Sequence, residues 1–270
     1  MDGLRSACEY ARTLAERRTM LAMRSWLMLV VACGSSTPAT HEPPSPPAGP
    51  QHELILRVAG KDIGHEQFSL ARSGDHLLVT GKGTTTFKSP LTIDLAMDVD
   101  PAKWSVQQVD LHVEAAGATC TYHERMQPND VAEVEVEFAD GTRKLVDHES
   151  RDHAGWYISL RPTITHGALC AIANQDKHAM DSFPPWYVVR IAPRTPSTIP
   201  TSDGKRMLDL VKVDDLIDDY CDGTDLAIVH YPAHGFIAAR TDYDAVAQKL
   251  AASDPTGELW AGELACPPHP

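Results

Sequence analysis

The segment AEVEVEFADGT, residues 132–142, puts Val134, Val136 and Phe138 on one side of an extended chain and Glu133, Glu135 and Glu137 on the other. Successive side chains of a strand point to opposite faces, so this pattern fits a strand with one buried and one wet face. The same reading extends over residues 53–162. ELILRV, HEQFSLAR, HLLVTGKGTTTF, PLTIDLAMDV, WSVQQVDLHVEA, ATCTYHERM, VAEVEVEF and GWYISLRP alternate apolar and polar residues or are rich in β-branched and aromatic types. Turn formers separate them, among them Ala59-Gly60-Lys61, Ser73-Gly74-Asp75, Lys88-Ser89-Pro90 and Ala139-Asp140-Gly141. Strands so closely spaced imply antiparallel hairpins. Their edges must close, stack, or curl around a helix.

Beyond Pro162 the pattern changes. THGALCAIANQDKHAM, Thr165 to Met180, reads as a helix stopped by Pro184-Pro185. WYVVRIAP reads as a strand, and STIPTSDG interrupts it. A helix or short strand is expected over Met207 to Tyr220, followed by strands DLAIVHY and GFIAAR. A helix from about Asp242 to Ala252 comes next, with Thr241 and Asp242 as cap candidates, and then a strand GELWAGEL. The expected fold is α+β, mainly antiparallel β: a curled sheet or half-barrel with a helix, plus a smaller mixed α/β C-terminal part. Residues 51–198 would form the β-rich domain. Residues 199–270 would form the mixed segment, as part of that domain or beside it. The opening strand, DIGHEQFSLARSGDHLLVTGKG and PLTIDLAMDVDPAKWSVQQVDLHV resemble, in pattern and order, the curled sheets of periplasmic lipoprotein-carrier-like and glycolipid-binding-like families. That resemblance implies a sheet wrapped around a cleft for acyl chains, and a role in amphiphile binding or envelope maintenance.

The N-terminus carries a different signal. Behind Arg24, Trp26 to Ala32 is a continuous apolar run of seven residues. A spanning helix needs roughly 20 residues. The run matches the lower end of a signal-peptide core, about 7 to 15 residues. It ends Val30-Val31-Ala32-Cys33, which resembles the bacterial lipoprotein signal. The resemblance implies cleavage after Ala32 and lipidation of Cys33, with more than one acyl chain because a single chain holds a membrane only marginally. GSSTPATHEPPSPPAGP follows, a Pro/Ser-rich tether with little to bury. Residues 1–32 are thus read as leader and 33–50 as lipidated tether. The mixed-charge leader, with Glu9 and Glu16, makes Met20 or Met23 an alternative start. Gly34, where an Asp would retain an enterobacterial lipoprotein at the inner membrane, favours the outer membrane, facing the periplasm or the surface.

The full chain carries 24 Lys and Arg against 37 Asp and Glu, a net charge of −13. Without the leader, 19 basic and 34 acidic residues remain, a net of −15. This argues against nucleic acid as a partner and against electrostatic docking on anionic lipid. The expected partners are the membrane, through the anchor, and an amphiphile or envelope protein. Cys120, Cys170, Cys221 and Cys266 remain after Cys8 leaves with the leader and Cys33 takes lipid. An even number in an exported chain suggests disulfides. Four cysteines allow three pairings. Cys120–Cys170 with Cys221–Cys266 is the expected one, each closing about 50 residues and worth roughly 4 kcal/mol.

Catalytic signals are weak, and no cofactor is expected. HYPAH sets His230 and His234 four apart, but Pro232 and Gly235 disrupt a helix there. Asp225, His178 or the Asp214-Asp215-Asp218-Asp219 cluster would have to complete a metal site. DDYCDGTD has acidic residues before Gly223, but Val229 stands where a calcium loop needs its closing glutamate. Cys170 precedes histidines as in thiol hydrolases, without the residues that surround their nucleophile. The leading expectation is non-catalytic binding at the membrane surface. The alternatives are an envelope hydrolase using His230 and His234, and a purely structural or interaction lipoprotein.

Overall fold

The computed structural model describes residues 51–86, 89–127, 131–150, 163–174, 176, 178–182, 187–201, 204–252 and 264–269. The expected leader and tether, with Ala32 and Cys33, lie outside the described residues, as do GWYISLRP and most of GELWAGEL. The alternating segments form β1 (Gln51–Val58), β2 (Lys61–Ser73), β3 (His76–Thr85), β4 (Leu91–Asp100), β5 (Ser105–Ala115), β6 (Ala118–Met126) and β7 (Val131–Phe138). A further strand, β8 (Arg143–Ser150), lies where none was expected. Each pairs antiparallel with the next. The β1–β2 and β5–β6 hairpins turn on Ala59-Gly60 and Ala116-Gly117, all four at positive φ. That is the two-residue turn whose twist matches that of the flanking strands.

The later strands are β9 (His178–Ser182), β10 (Tyr187–Ile191), β11 (Thr195–Thr201), β12 (Gly204–Val213), β13 (Ile217–Asp222), β14 (Asp225–Tyr231) and β15 (Phe236–Arg240). They join the same sheet, because β15 pairs antiparallel with β1, Ile55 lying opposite Ala239. The strand order is β8-β7-β6-β5-β4-β3-β2-β1-β15-β14-β13-β12-β10-β9. Ile191 pairs with Val213 and Thr195 with Leu210, so β10 and β11 follow one another along one edge of β12. Residues 51–198 and 199–270 are therefore not separate sheets. Met207 to Tyr220, expected as a helix or short strand, lies in the β12–β13 hairpin, and the end of the helix expected over Thr165 to Met180 is a strand, His178 to Met180 opening β9. Hydrogen bonding to sheet neighbours decides between helix and strand here, and local pattern does not reveal those neighbours.

Two short helices remain among the described residues, α1 (His166–Ile172), entered by a 3-10 turn at Thr163–Thr165, and α2 (Asp244–Ala251), entered by one at Thr241–Tyr243. Neither Thr241 nor Asp242 caps α2; Asp242 instead accepts two hydrogen bonds from Arg240. The segment 163–172 touches β2 and β3 on one side and β13 and β14 on the other. In the sheet, β3 and β13 are five strand spacings apart, which is roughly 24 Å on a flat surface at about 4.8 Å per spacing. A helix about 10 Å across reaches both only if the sheet curls around it. Among the described residues the curl does not close, since its ends, β8 and β9, do not pair with each other.

The inner face carries the main core. On β4, Leu91, Ile93, Leu95, Met97 and Val99 are buried, while Thr92, Asp94 and Ala96 are exposed. The outer face stays wet along β3 to β7 and is covered near β15, where α2 lies against it. There Ile199, Leu208, Ile228, Ile237, Ala239, Val246 and Ala247 form a second core. Double cover explains why β14 and β15 read as near-continuous apolar runs where β4 and β7 alternate.

Candidate functional site

A buried polar centre sits where α1 meets the sheet. Seven residues are too few for a helix to hold itself in water, and the surrounding structure clamps this one at four points. At the N-terminal end, the Glu66 carboxylate on β2 accepts hydrogen bonds from Thr163 N at 3.3 Å, Ile164 N at 3.0 Å and Thr163 Oγ1. A negative charge there satisfies the orphan N–H groups and opposes the helix dipole. At the other end, Arg194 donates to Cys170 O at 3.2 Å and to Gly223 O, while its Nε bonds Asp209 at 2.8 Å. Between these ends, His166 Nδ1 lies 2.8 Å from Asp219 Oδ2 on β13. One turn on, Cys170 is disulfide-bonded to Cys221 on the same strand.

The two middle pins match for a geometric reason. Four residues of helix rise about 6 Å, and two residues of strand advance about 6.6 Å. The 166/170 and 219/221 pairs therefore meet when the helix lies along β13.

Tyr231 Oη sits 3.3 Å from His166 Nε2. If Nδ1–H donates to Asp219, Nε2 is left to accept from Tyr231. The order tyrosine, histidine, aspartate has the form of a proton relay. His166 and Asp219 are 0% exposed, however, and Tyr231 is 4% exposed. No substrate reaches groups so enclosed, so the arrangement fastens the helix. Burial pushes the Asp219 carboxyl above its usual range, against the pull of His166. Its Oδ1 meets no hydrogen-bond partner among the described residues.

The residues singled out from sequence do not converge. His230 is buried on β14, in register with Asp218 and Ile237, and His234 ends a 3-10 turn beside Gly235. Asp225 opens β14, 4.0 Å from His52. The acidic cluster is dispersed: Asp218 pairs with Lys212, Asp219 with His166, and Asp214 lies in a turn at positive φ. Among the described residues no group of three His, Cys, Asp or Glu side chains is placed to hold a metal ion. DDYCDGTD is the β13–β14 hairpin, and its Asp222 accepts from Tyr243 Oη at 2.6 Å. Cys170 has no thiol to offer as a nucleophile while it is bridged.

The expected disulfide pairing is corrected. The bridges are Cys120–Cys266 and Cys170–Cys221, with sequence separations of 146 and 51. Sequence locality suggested one staple in each half. The fold instead lays α1 on β13 and returns the C-terminus to β6.

That returning segment, residues 264–269, lies on the inner face of the sheet. Leu264 is buried in the main core, and Tyr122 Oη donates to Ala265 O at 2.6 Å. Burial pushes the Tyr122 phenol up to about 12. The rings of His269 and Phe138 lie 4.6 Å apart between centroids. Beneath the segment the register aligns Val113, Cys120 and Phe138 in one row and Leu111, Tyr122 and Val136 in the next.

The outer face of the same strands is polar. Asp110 is bonded by His123 at 2.6 Å, Arg125 at 2.7 Å and Gln108 at 2.7 Å. Burial raises the Asp110 carboxyl, but these donors together outweigh it and hold the group well below the ordinary carboxylate range.

Sequence reasoning missed Glu66, His166 and Tyr231, and weighed Asp219 only as a member of an acidic cluster that would have to complete a metal site. One signal was available. Glu66 shares the inward phase of β2 with Phe68, as Glu124 does on β6 with Cys120 and Tyr122. A carboxylate in the buried phase of an alternating strand requires a partner inside.

No family model matches the chain, and no curated protein matches it. Two solved structures are similar to it. One is a β-barrel-like protein of domain of unknown function DUF1849 from Brucella abortus, 9% identical, covering 70% of this chain and 92% of that one with a TM-score of 0.42. The other is a DUF1089 family protein from Pseudomonas aeruginosa, 12% identical, covering 78% of this chain and 96% of that one with a TM-score of 0.33. The architecture given above rests on this chain's own strand pairing.

Proposed function

We propose that this chain is a lipid-anchored protein of the bacterial cell envelope, whose curled sheet binds an amphiphile or a protein partner at the membrane surface without catalysis. The observation that carries this reading is the pair of long-range disulfides, Cys120–Cys266 and Cys170–Cys221. Such bridges form and persist in oxidising compartments. The Arg24-to-Cys33 signal provides a route there and an anchor. The 17 residues of tether allow a reach of up to roughly 50 Å at about 3.1 Å per residue. The apolar inner face favours an apolar ligand surface, and the sealing of His166 and Asp219 removes the relay-like arrangement found among the described residues from substrate.

Cys33→Ala tests the anchor. Wild-type protein should sediment with membranes and take up radiolabelled palmitate. The variant should do neither. A variant that stays in the membrane fraction to the same extent overturns the lipoprotein reading.

A further inference from the structure

Asp219 sits in surroundings that suit a carboxylic acid better than a carboxylate. It is fully buried on β13, in register with Val211 on β12 and Val229 on β14, two fully buried valines. Its side-chain partner among the described residues is His166 on α1, reached by Oδ2, while Oδ1 has none. An ionised carboxyl has about four acceptor sites to fill, and burying it with most of them empty costs far more than burying the neutral acid. The other titratable and charged groups described around α1 have partners of their own. Glu66 on β2 accepts from Thr163 and Ile164, and Arg194 holds Asp209 on β12 and Cys170 O. Asp218 pairs with Lys212, and the β3 residues His76 and Lys82 pair with Asp98 and Asp94. Tyr231 on β14 reaches the far nitrogen of His166. Burial pushes the Asp219 carboxyl up against the pull of His166, and the Asp218 charge beside it adds to the push.

We propose that Asp219 keeps its proton at neutral pH and that this proton is a latch on α1. Asp219 Oδ2–H donates to His166 Nδ1, and His166 Nε2–H donates in turn to Tyr231 Oη. Every polar hydrogen of the three-group chain up to the tyrosine then has an acceptor, and Oδ1 is left as a neutral carbonyl oxygen. Rising pH removes the proton to solvent. A buried carboxylate then faces two valines with a single neighbour able to donate to it, and α1 loosens at its His166 end. The Cys170–Cys221 bridge and Arg194 keep the other end in place. The latch is independent of the anchor and of any ligand.

Infrared spectroscopy of the full purified, oxidised chain tests the proton. At neutral pH the difference between wild type and Asp219→Asn should contain the carbonyl stretch of one protonated carboxyl group, and that band should vanish as the wild type is made alkaline. Hydrogen exchange tests the latch. With exchange rates corrected for their intrinsic pH dependence, protection of the α1 amides should fall by up to about tenfold per pH unit once Asp219 ionises. Asp219→Asn, checked by near-UV circular dichroism, keeps a neutral donor facing His166, so its α1 protection should stay flat over the same range. If that variant does not fold, the wild type alone carries the test, since loss of the band and loss of α1 protection must track one another with pH. Absence of the band at neutral pH overturns the proposal, because Asp219 is then ionised. So does an α1 whose protection stays level while the band disappears.

Discussion

One sheet serves two regions of this molecule in different ways. From β3 to β7 it is covered on one side only. Its outer face carries cross-strand polar pairs such as Lys82 with Asp94 and Asp110 with His123. Around β14 and β15 it is covered on both sides, by α1 within the curl and α2 outside. The first region is tolerant on its outer face because water already solvates what it displays. The second has no wet face, so any charge there must find a partner. Arg57, under α2, is held by Asp62 at 2.6 Å and by Asp244. Asp219, under α1, is held by His166.

A matched substitution breaks the comparison most sharply. Ala96 on β4 and Ala239 on β15 lie on the same outer face of the sheet, one exposed and one 0% exposed beneath α2. Ala239→Glu should cost about 4 kcal/mol or more, because it buries an unpaired charge. Ala96→Glu should stay within about 0.5 kcal/mol. Urea unfolding of the two variants measures both, and equal costs would show that α2 does not cover the sheet.

Acid titration sharpens the comparison by sign. Asp219 is raised, so the folded state holds its proton more tightly than the unfolded chain does. Its contribution is therefore lost as pH rises from about 4, the unfolded value, through the folded value. Asp110 is depressed, so its contribution is present above about pH 4 and lost as pH falls through its folded value. Stability curves of Asp219→Asn and Asp110→Asn against wild type should therefore diverge from it in opposite directions. Two curves that shift the same way would mean that burial does not dominate at Asp219.

The smallest effect belongs to the exposed pair. Lys82 and Asp94 are 2.9 Å apart, with side chains 77% and 50% exposed. A surface pair of this kind contributes less than about 1 kcal/mol, and less still in salt. Lys82→Ala should leave the thermal midpoint nearly unchanged, and a larger loss would mean that the outer face is structural after all.

Period-two alternation identified β2 to β7 directly, because each of these strands has one buried and one wet face along most of its length and the pattern records that difference. It failed where the environment is symmetric or distant. The run Thr165 to Met180 reads as one helix, yet the helix stops at Ile172 and His178 opens a strand. β12 and β13 carry too little alternation to separate strand from helix. Glu66 was visible as a carboxylate in a buried phase, but its partner lies 97 residues away, at Thr163.

The sequence by itself determined the antiparallel β character, the hairpin turns, the acidic balance and the presence of four cysteines in the body of the chain. These are local properties of composition and spacing. The pairing of β1 with β15, the double cover of β14 and β15, the clamp on α1 and the disulfide connectivity were decided only by tertiary structure. Each depends on which distant surfaces meet. That choice is made by burying the inner apolar face as a whole, and no short window of residues contains it.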